Sequence, residues 1–179
     1  MEDRNVYGIR PETETTNGDK WFIFDLDGTL ALIDERIKVS EKENGKLDWD
    51  KFFDPKNIKL DQPNTPVITI AQTLAEAGFK IAVLSGRSKR TQVATKMWLN
   101  KHNVPYHIIK MRPTSHPWKF MDDRKLKKYW LDDLWPGEYK FSKLVSVFDD
   151  RQKVVDMWRE EGLTCCQVDP GKWPPKNVL

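Results

Sequence analysis

Three apolar runs in the sequence end on residues able to do chemistry. Trp21-Phe22-Ile23-Phe24 runs into Asp25-Leu26-Asp27-Gly28-Thr29. Lys80 to Leu84 runs into Ser85-Gly86-Arg87, and Lys143 to Phe148 into Asp149-Asp150-Arg151. Two carboxylates one residue apart can divide labour between nucleophile and proton carrier. A serine hydroxyl beside a glycine amide can hold the oxygens of an anion. Four carboxylates gathered at one edge repel one another unless a cation neutralises them, and an all-oxygen donor set suits Mg²⁺ rather than zinc or copper. The three histidines, His102, His107 and His116, show no zinc-type spacing with the cysteines.

Each feature also has a plainer reading. Asp-Gly favours turns, Ser85-Gly86 could be a strand-to-helix turn, and one of Asp149 and Asp150 could cap the helix that follows. Lys125, Lys127 and Lys128 are compatible with a solvated helix face. Position in the fold must separate these readings, because ligands of open parallel sheets bind beyond the carboxyl ends of the strands.

The pattern of elements predicts such a sheet. The first run is apolar almost throughout, as a strand buried on both faces must be. Thr65-Pro66 opens a helix, with threonine as its cap, Val67, Ile70, Ala71 and Leu74 on one face, and Gly78 as its stop. Lys80 to Leu84 is a second strand. Residues 88–102 form a helix with Val93, Ala94, Met97 and Trp98 inward, and Tyr106 to Ile109 a third strand. A loop over 111–121 precedes a helix over 122–134. Lys143 to Phe148 is the fourth strand. The next helix turns Val154, Val155 and Trp158 inward and stops at Gly162. Leu163 to Val168 is the fifth strand. This alternation implies the α/β class, a Rossmann-like open parallel sheet with helices on both faces. The 179 residues suit a single domain. Residues 31–64 are charged and irregular, and read as a small insertion or cap after the first strand. Residues 1–19 and 170–179 read as irregular termini.

Composition bounds the function. The chain is 39% hydrophobic and 32% charged, and 30 basic against 27 acidic residues leave a net charge of +3. That balance permits an anionic substrate without establishing a nucleic-acid binder. No apolar run is long enough to cross a membrane, and the N-terminus lacks the pattern of a signal peptide, so the expected compartment is the cytoplasm. Cys165 and Cys166 are adjacent within an apolar run and read as buried thiols.

Phe24-Asp25-Leu26-Asp27-Gly28-Thr29-Leu30, followed in order by a strand-end serine, a helical lysine and paired aspartates, resembles the haloacid dehalogenase superfamily of phosphotransferases. A narrower likeness covers roughly residues 20–170. Leu84-Ser85-Gly86-Arg87, Phe148-Asp149-Asp150-Arg151-Gln152-Lys153-Val154-Val155-Asp156-Met157-Trp158-Arg159 and Gly162-Leu163-Thr164-Cys165-Cys166-Gln167-Val168 are similar to the phosphatase half of T-even phage polynucleotide kinase 3'-phosphatases. No Gly-x-x-x-x-Gly-Lys-Ser/Thr occurs, so the phosphate-cradling loop of a kinase half is absent from this sequence.

The resemblance implies roles. Asp25 would be the nucleophile and Asp27 the general acid and base. Strand alternation would send both to the same side. Ser85 and Gly86 would hold phosphoryl oxygens. Lys127, which the pattern Asp123-x-x-Leu126-Lys127 favours, would neutralise charge, with Lys125 and Lys128 as near alternatives. Asp149 and Asp150, with Asp25 and the Asp27 carbonyl, would hold Mg²⁺. Arg87 and Arg112, and more distantly Arg36, would bind a second phosphate, since the guanidinium fork suits phosphate oxygens. Trp49, Trp118 and Trp173 fall in expected loops, where aromatic rings can stack on bases; Trp98, Trp130 and Trp158 fit core positions. The implied activity is a Mg²⁺-dependent phosphomonoesterase that removes 3'-phosphates from nucleic-acid ends or 3'-nucleotides through an aspartyl-phosphate. A separate kinase or ligase is a candidate partner. Two other readings stay open: a phosphatase of free nucleoside monophosphates, and a non-catalytic module that binds nucleic-acid ends.

Overall fold

The computed structural model describes residues 16–169, so the expectations for residues 1–15, for 170–179 and for Trp173 lie outside the described residues. A 3-10 turn over Thr16–Asp19 leads into β1 (Trp21–Phe24). Residues 31–64 then form β2 (Ala31–Leu32), α1 (Asp34–Ser40), α2 (Trp49–Phe52), a 3-10 turn over Pro55–Leu60, and β3 (Gln62–Pro63). The chain continues through α3 (Thr65–Glu76), β4 (Lys80–Ser88), α4 (Gln92–Lys101), β5 (Ile108–Arg112) and α5 (Asp123–Leu134). It ends with α6 (Tyr139–Lys143), β6 (Leu144–Asp149), α7 (Gln152–Glu160) and β7 (Cys165–Gln167).

Five strands pair in parallel in the order β5-β4-β1-β6-β7, and β2 and β3 form a separate antiparallel pair. The chain therefore runs outward from β1 to β4 and β5, then returns to the other side of β1 for β6 and β7. That reversal places a crevice at the carboxyl end of β1, where the motif Asp25 to Thr29 sits.

Pleating divides the core. Phe22 and Phe24 face one way, against Val67, Ile68 and Ala71 of α3 and Trp98 and Leu99 of α4. Ile23 faces the other way, against Leu126 and Trp130 of α5 and Val154, Val155 and Trp158 of α7. Both faces of the sheet are thus covered by helices, which is why β1 had to be apolar throughout. Phe24 also stacks on Phe148 of the neighbouring strand, ring centres 4.6 Å apart. Residues 31–64 carry their own small core of Ile33, Leu47 and Phe52. Among the described residues no helix is long and apolar enough to cross a membrane.

Several sequence expectations are corrected. Strand β4 runs on to Ser88 past an irregularity between Ser85 and Ser88, so Ser85-Gly86-Arg87 lie inside it and not beyond its end. Strand β5 begins at Ile108, two residues later than Tyr106, and extends to Arg112. Helix α3 begins at Thr65, but Thr65 is not its cap. Asn64 precedes it and spends its side chain on the Thr29 carbonyl, 2.8 Å away. Ile70 is exposed while Ile68 is buried.

In α4 the inward stripe is Thr95, Trp98 and Leu99, and Val93 and Met97 are 75% and 67% exposed. Buried polar contacts set that rotation. The Thr95 hydroxyl accepts from Arg87, and the Trp98 indole donates to the Asp61 carbonyl at 2.9 Å. Neither Asp149 nor Asp150 is the N-cap of α7, which is Arg151. Only Cys165 is buried. Cys166 is exposed, because successive residues of β7 point to opposite faces.

Candidate active site

The crevice opens into a cavity of about 850 Å³, in which Asp25, Asp27, Gly86, Arg87, Arg112 and Lys127 are among the lining residues. The backbone follows the β1 direction as far as Asp25, whose N–H donates to the Phe148 carbonyl at 2.9 Å. It then turns at Gly28, with φ +89°, a conformation that glycine alone adopts without strain. A Cβ at this position would also clash with the Asp150 carboxylate, so the absence of a side chain lets Asp150 close over the turn.

Asp25 and Asp27 both line the cavity but meet different partners, because strand geometry ends before Asp27. Lys127, on the inner face of α5, is buried and sits 2.8 Å from Asp25 Oδ1 and 2.7 Å from Asp149 Oδ2. Lys125 is exposed, and Lys128 pairs with Asp132 and Glu161. The Trp158 indole donates to Asp149 Oδ2 at 3.1 Å, a polar duty for a residue whose bulk reads only as core.

One oxygen from each of Asp25, Asp149 and Asp150 lies within 4.8 Å of the others, and all three residues are buried. No other such cluster of acids, histidines or cysteines occurs among the described residues. Three buried carboxylates drawn from two adjacent strand ends form a hard, all-oxygen donor set that fits Mg²⁺. The Asp27 carboxylate is not part of it. Burial pushes the Asp25 carboxyl well above the usual carboxylate range, against the pull of Lys127 and with the help of Asp149 and Asp150.

Asp27 lies in the opposite field. Its Oδ1 accepts from Arg36 Nη2 at 2.5 Å and from the Arg87 guanidinium. Both arginines are buried, and both also pair at 2.8 Å with Asp61, a buried residue that ends the 3-10 turn of the 31–64 segment. Burial alone would raise the Asp27 carboxyl, but Arg36 and Arg87 outweigh it and hold it down at about 2. For Asp61 the balance reverses. Burial, aided by Asp27, prevails over Arg87 and Arg36, and its carboxyl is pushed up to about 6.

The two arginines expected to bind a second phosphate are thus already occupied. Arg87 is bonded to Asp27, Asp61 and Thr95. Arg112 donates to the carbonyls of Gly86, Trp118 and Met121 and pairs with Asp123. Arg36, the third candidate, is fully buried between Asp27 and Asp61. Ser85 does not line the cavity. It is fully buried, and its hydroxyl oxygen accepts from the Arg87 N–H at 3.2 Å. Gly86 does line it, and a Cβ there would stand 2.7 Å from Asp123 Oδ1. Trp118 is half-buried against Tyr129, whereas Trp49 lines the cavity.

Sequence reading missed Asp61, and it used Asp123 only as part of the pattern that favours Lys127. Asp123 lies one helical turn before Lys127 and pairs with Arg112 and Arg151.

The sequence pattern of the polynucleotide kinase PNKP phosphatase domain matches residues 19–173. The chain belongs to that family. It is therefore a phosphatase of the haloacid dehalogenase superfamily, which disposes of the non-catalytic reading. It is 32% identical over 149 residues to a protein of Autographa californica nuclear polyhedrosis virus provisionally named a bifunctional polynucleotide kinase/RNA ligase. The match covers 80% of this chain and 19% of the viral protein. A chain of the Pnkp1/Rnl/Hen1 complex superposes with a TM-score of 0.67 at 31% identity, covering 87% of this chain and 47% of that one. A Clostridium acetobutylicum protein assigned as a phosphatase shares the fold, with a TM-score of 0.62 at 17% identity and 85% of each chain covered. This PNKP-type chain thus spans less than half the length of the first two relatives.

Proposed function

We propose that this PNKP-type phosphatase is a Mg²⁺-dependent 3'-phosphatase that acts on nucleic-acid ends through an aspartyl-phosphate. The observation that carries the reading is the position of Asp25. It faces the cavity, lies within reach of Asp149 and Asp150, and shares Lys127 with Asp149. The PNKP family and relatives named for polynucleotide chemistry support the choice of substrate class.

In this reading an Asp25 carboxylate oxygen attacks phosphorus, and the bond from phosphorus to the 3'-oxygen of the strand breaks. Asp27 gives that oxygen its proton. In the second step Asp27 takes a proton from water, the water oxygen attacks the same phosphorus, and the bond to Asp25 breaks to release inorganic phosphate. Lys127 holds the Asp25 side chain and meets negative charge that develops on the phosphoryl oxygens. Mg²⁺ held by Asp25, Asp149, Asp150 and the Asp27 carbonyl would favour the ionised nucleophile and offset the charge of the incoming phosphate. Asp27 is ionised in the free protein, ready for the second step. To serve in the first, it must take a proton from solvent water or from a singly protonated phosphate ester, once the negative charge of the phosphate offsets the field of its arginines.

The test is phosphate release, with Mg²⁺ and with EDTA, from a 3'-phosphorylated oligonucleotide, its 5'-phosphorylated twin, and 3'- and 5'-mononucleotides. The expected result is Mg²⁺-dependent release from the 3'-phosphorylated strand, with little from the 5'-phosphorylated one. Release from mononucleotides alone would move the protein to nucleotide metabolism. Full activity in EDTA would remove the metal from the scheme.

A further inference from the structure

Phosphate chemistry accounts for the floor of the cavity but not for its rim. Two aromatic rings line the same cavity as Asp25 while remaining open to water: Trp49 is 47% exposed and Phe120 is 77% exposed. They come from separate elements. Trp49 opens α2 in the 31–64 segment, and Phe120 closes the 3-10 turn over Trp118–Phe120.

Neither ring hangs from a loose backbone. Arg90 donates to the Phe53 carbonyl at 2.9 Å, the Asp50 carbonyl at 2.7 Å and the Trp49 carbonyl at 3.3 Å, fastening α2 to the 3-10 turn over Lys89–Thr91 that follows β4. The Trp49 ring stacks on Phe53, centres 5.8 Å apart. Arg112 does the same for the other wall, donating to the carbonyls of Trp118 at 2.9 Å and Met121 at 2.6 Å on either side of Phe120. A ring held open to water on an anchored backbone forgoes burial during folding and is preorganised for a flat partner.

Charge narrows the partner. Arg90, Arg112, Arg151 and Lys153 on the cavity wall each pair with a carboxylate. Lys119 lines the same wall beside Phe120, its Nζ 5.2 Å from the ring centre, and joins no ion pair among the described residues. The occupant must therefore bring a phosphomonoester to Asp25, a π-face to the rings, and a further negative charge to Lys119. The end of a phosphorylated strand brings all three; a sugar phosphate lacks the π-face.

Building on the 3'-phosphatase reading, we infer that Trp49 and Phe120 form a stacking subsite for the terminal nucleobase, and that Lys119 meets the phosphodiester on its 5' side. The subsite replaces the role first expected of Arg87 and Arg112, and it is sequence-tolerant, because every base offers a π-face.

The test compares kcat/KM on two strands that both end in a 3'-phosphate, one with a terminal base and one with an abasic terminal sugar. Trp49→Ala and Phe120→Ala are each expected to lower the ratio of the first to the second by roughly 5- to 150-fold, the range set by loss of one base–aromatic stack. Trp49→Phe and Phe120→Trp are expected to restore most of it. General damage to the fold lowers both rates together and leaves the ratio alone. An unchanged ratio in both alanine variants overturns the subsite while the phosphatase reading stands.

If the native chain releases phosphate from no nucleotide ester, that reading fails, and binding decides the subsite separately. Adenosine 3'-monophosphate should quench tryptophan fluorescence where inorganic phosphate does not, and Trp49→Phe should lose the quench. A quench that persists in Trp49→Phe overturns the stack. For Lys119→Ala, the slope of log affinity for a single strand against log salt should flatten by about 0.7, one phosphate contact. An unchanged slope removes Lys119 from the site.

Discussion

Two aspartates one residue apart stand in opposite electrostatic fields. Asp25 is buried beside Asp149 and Asp150 with one ammonium between them, and its carboxyl is pushed up. Asp27 is buried under two guanidiniums, and its carboxyl is held at about 2. The residue type is the same, so neighbours alone set the difference in proton affinity. The neighbours also have different origins. The Asp25 field is built from ends of the parallel sheet and the inner face of α5. The Asp27 field depends on Arg36 and Asp61, which the 31–64 segment folds back over the motif, together with Arg87 of β4.

The widest separation between the two fields should appear in catalysis. Asp25→Asn is expected to lower kcat by roughly 10⁴-fold or more, since it removes the proposed nucleophile. Asp27→Asn is expected to cost less, about 10²–10⁴-fold, the usual range for a lost proton carrier. Single-turnover phosphate release from a 3'-phosphorylated strand measures both. Equal residual activity in the two variants would break the assignment of distinct roles.

The Asp25 field also makes a stability prediction. Lys127→Met leaves two buried carboxylates without their shared cation, and breaking a buried pair from one side costs about 3–5 kcal/mol. Urea unfolding at pH 7 should show a loss of that order, with part of it recovered when Mg²⁺ is added. A variant as stable as the native chain would show that Lys127 contributes nothing to holding Asp25 and Asp149 together.

The Asp27 field is best sharpened through pH. Asp61, at about 6, lies above the ordinary aspartate value of 3.8. Between those values the folded protein holds a proton that the unfolded chain releases. The Asp61 contribution therefore falls as pH rises from about 4 to 6 and stays constant above that. Each pH unit crossed in that window removes about 1.36 kcal/mol, so the whole change is about 3 kcal/mol at most. Asp27 has the opposite sign, but its window lies lower. Its contribution is present above about 4 and is lost as pH falls toward 2. Unfolding of the native chain and of Asp61→Asn, compared from pH 4 to 7, isolates the Asp61 effect. The stability difference should move in the variant's favour as pH rises, and a constant difference would show that Asp61 does not titrate in that window.

The same division decides what could be read in advance. The positions of Asp25 and Asp149 were legible because a fully buried strand must be apolar throughout, so both stand out where the runs end. Lys127 could not be told from Lys125 and Lys128 until α5 was placed on the sheet, because three near-adjacent lysines differ only in helical phase. Arg36 and Asp61 carry no local signal. They sit among charged residues of the 31–64 segment, and their meaning lies in partners that the fold supplies across 9 and 26 residues. Arg87 and Arg112 do line the cavity, but their carboxylate partners were hidden for the same reason. Nothing local shows that a guanidinium is already taken.

Helix α4 shows partners hidden from the sequence on a smaller scale, and it carries the smallest prediction. Val93 and Met97 are spaced as an inward pair should be, yet both are exposed, while Thr95 turns in to meet Arg87. The apolar pattern lost to a polar contact that reaches the Asp27 field. Met97→Lys should therefore change stability by no more than about 0.5 kcal/mol, as for an exposed surface position. Burying a lysine at an inward site would cost several times that, so a thermal unfolding curve distinguishes the two rotations of the helix. A large loss in Met97→Lys would mean that α4 turns its apolar pair inward after all, and Thr95 would then no longer hold Arg87 against Asp27.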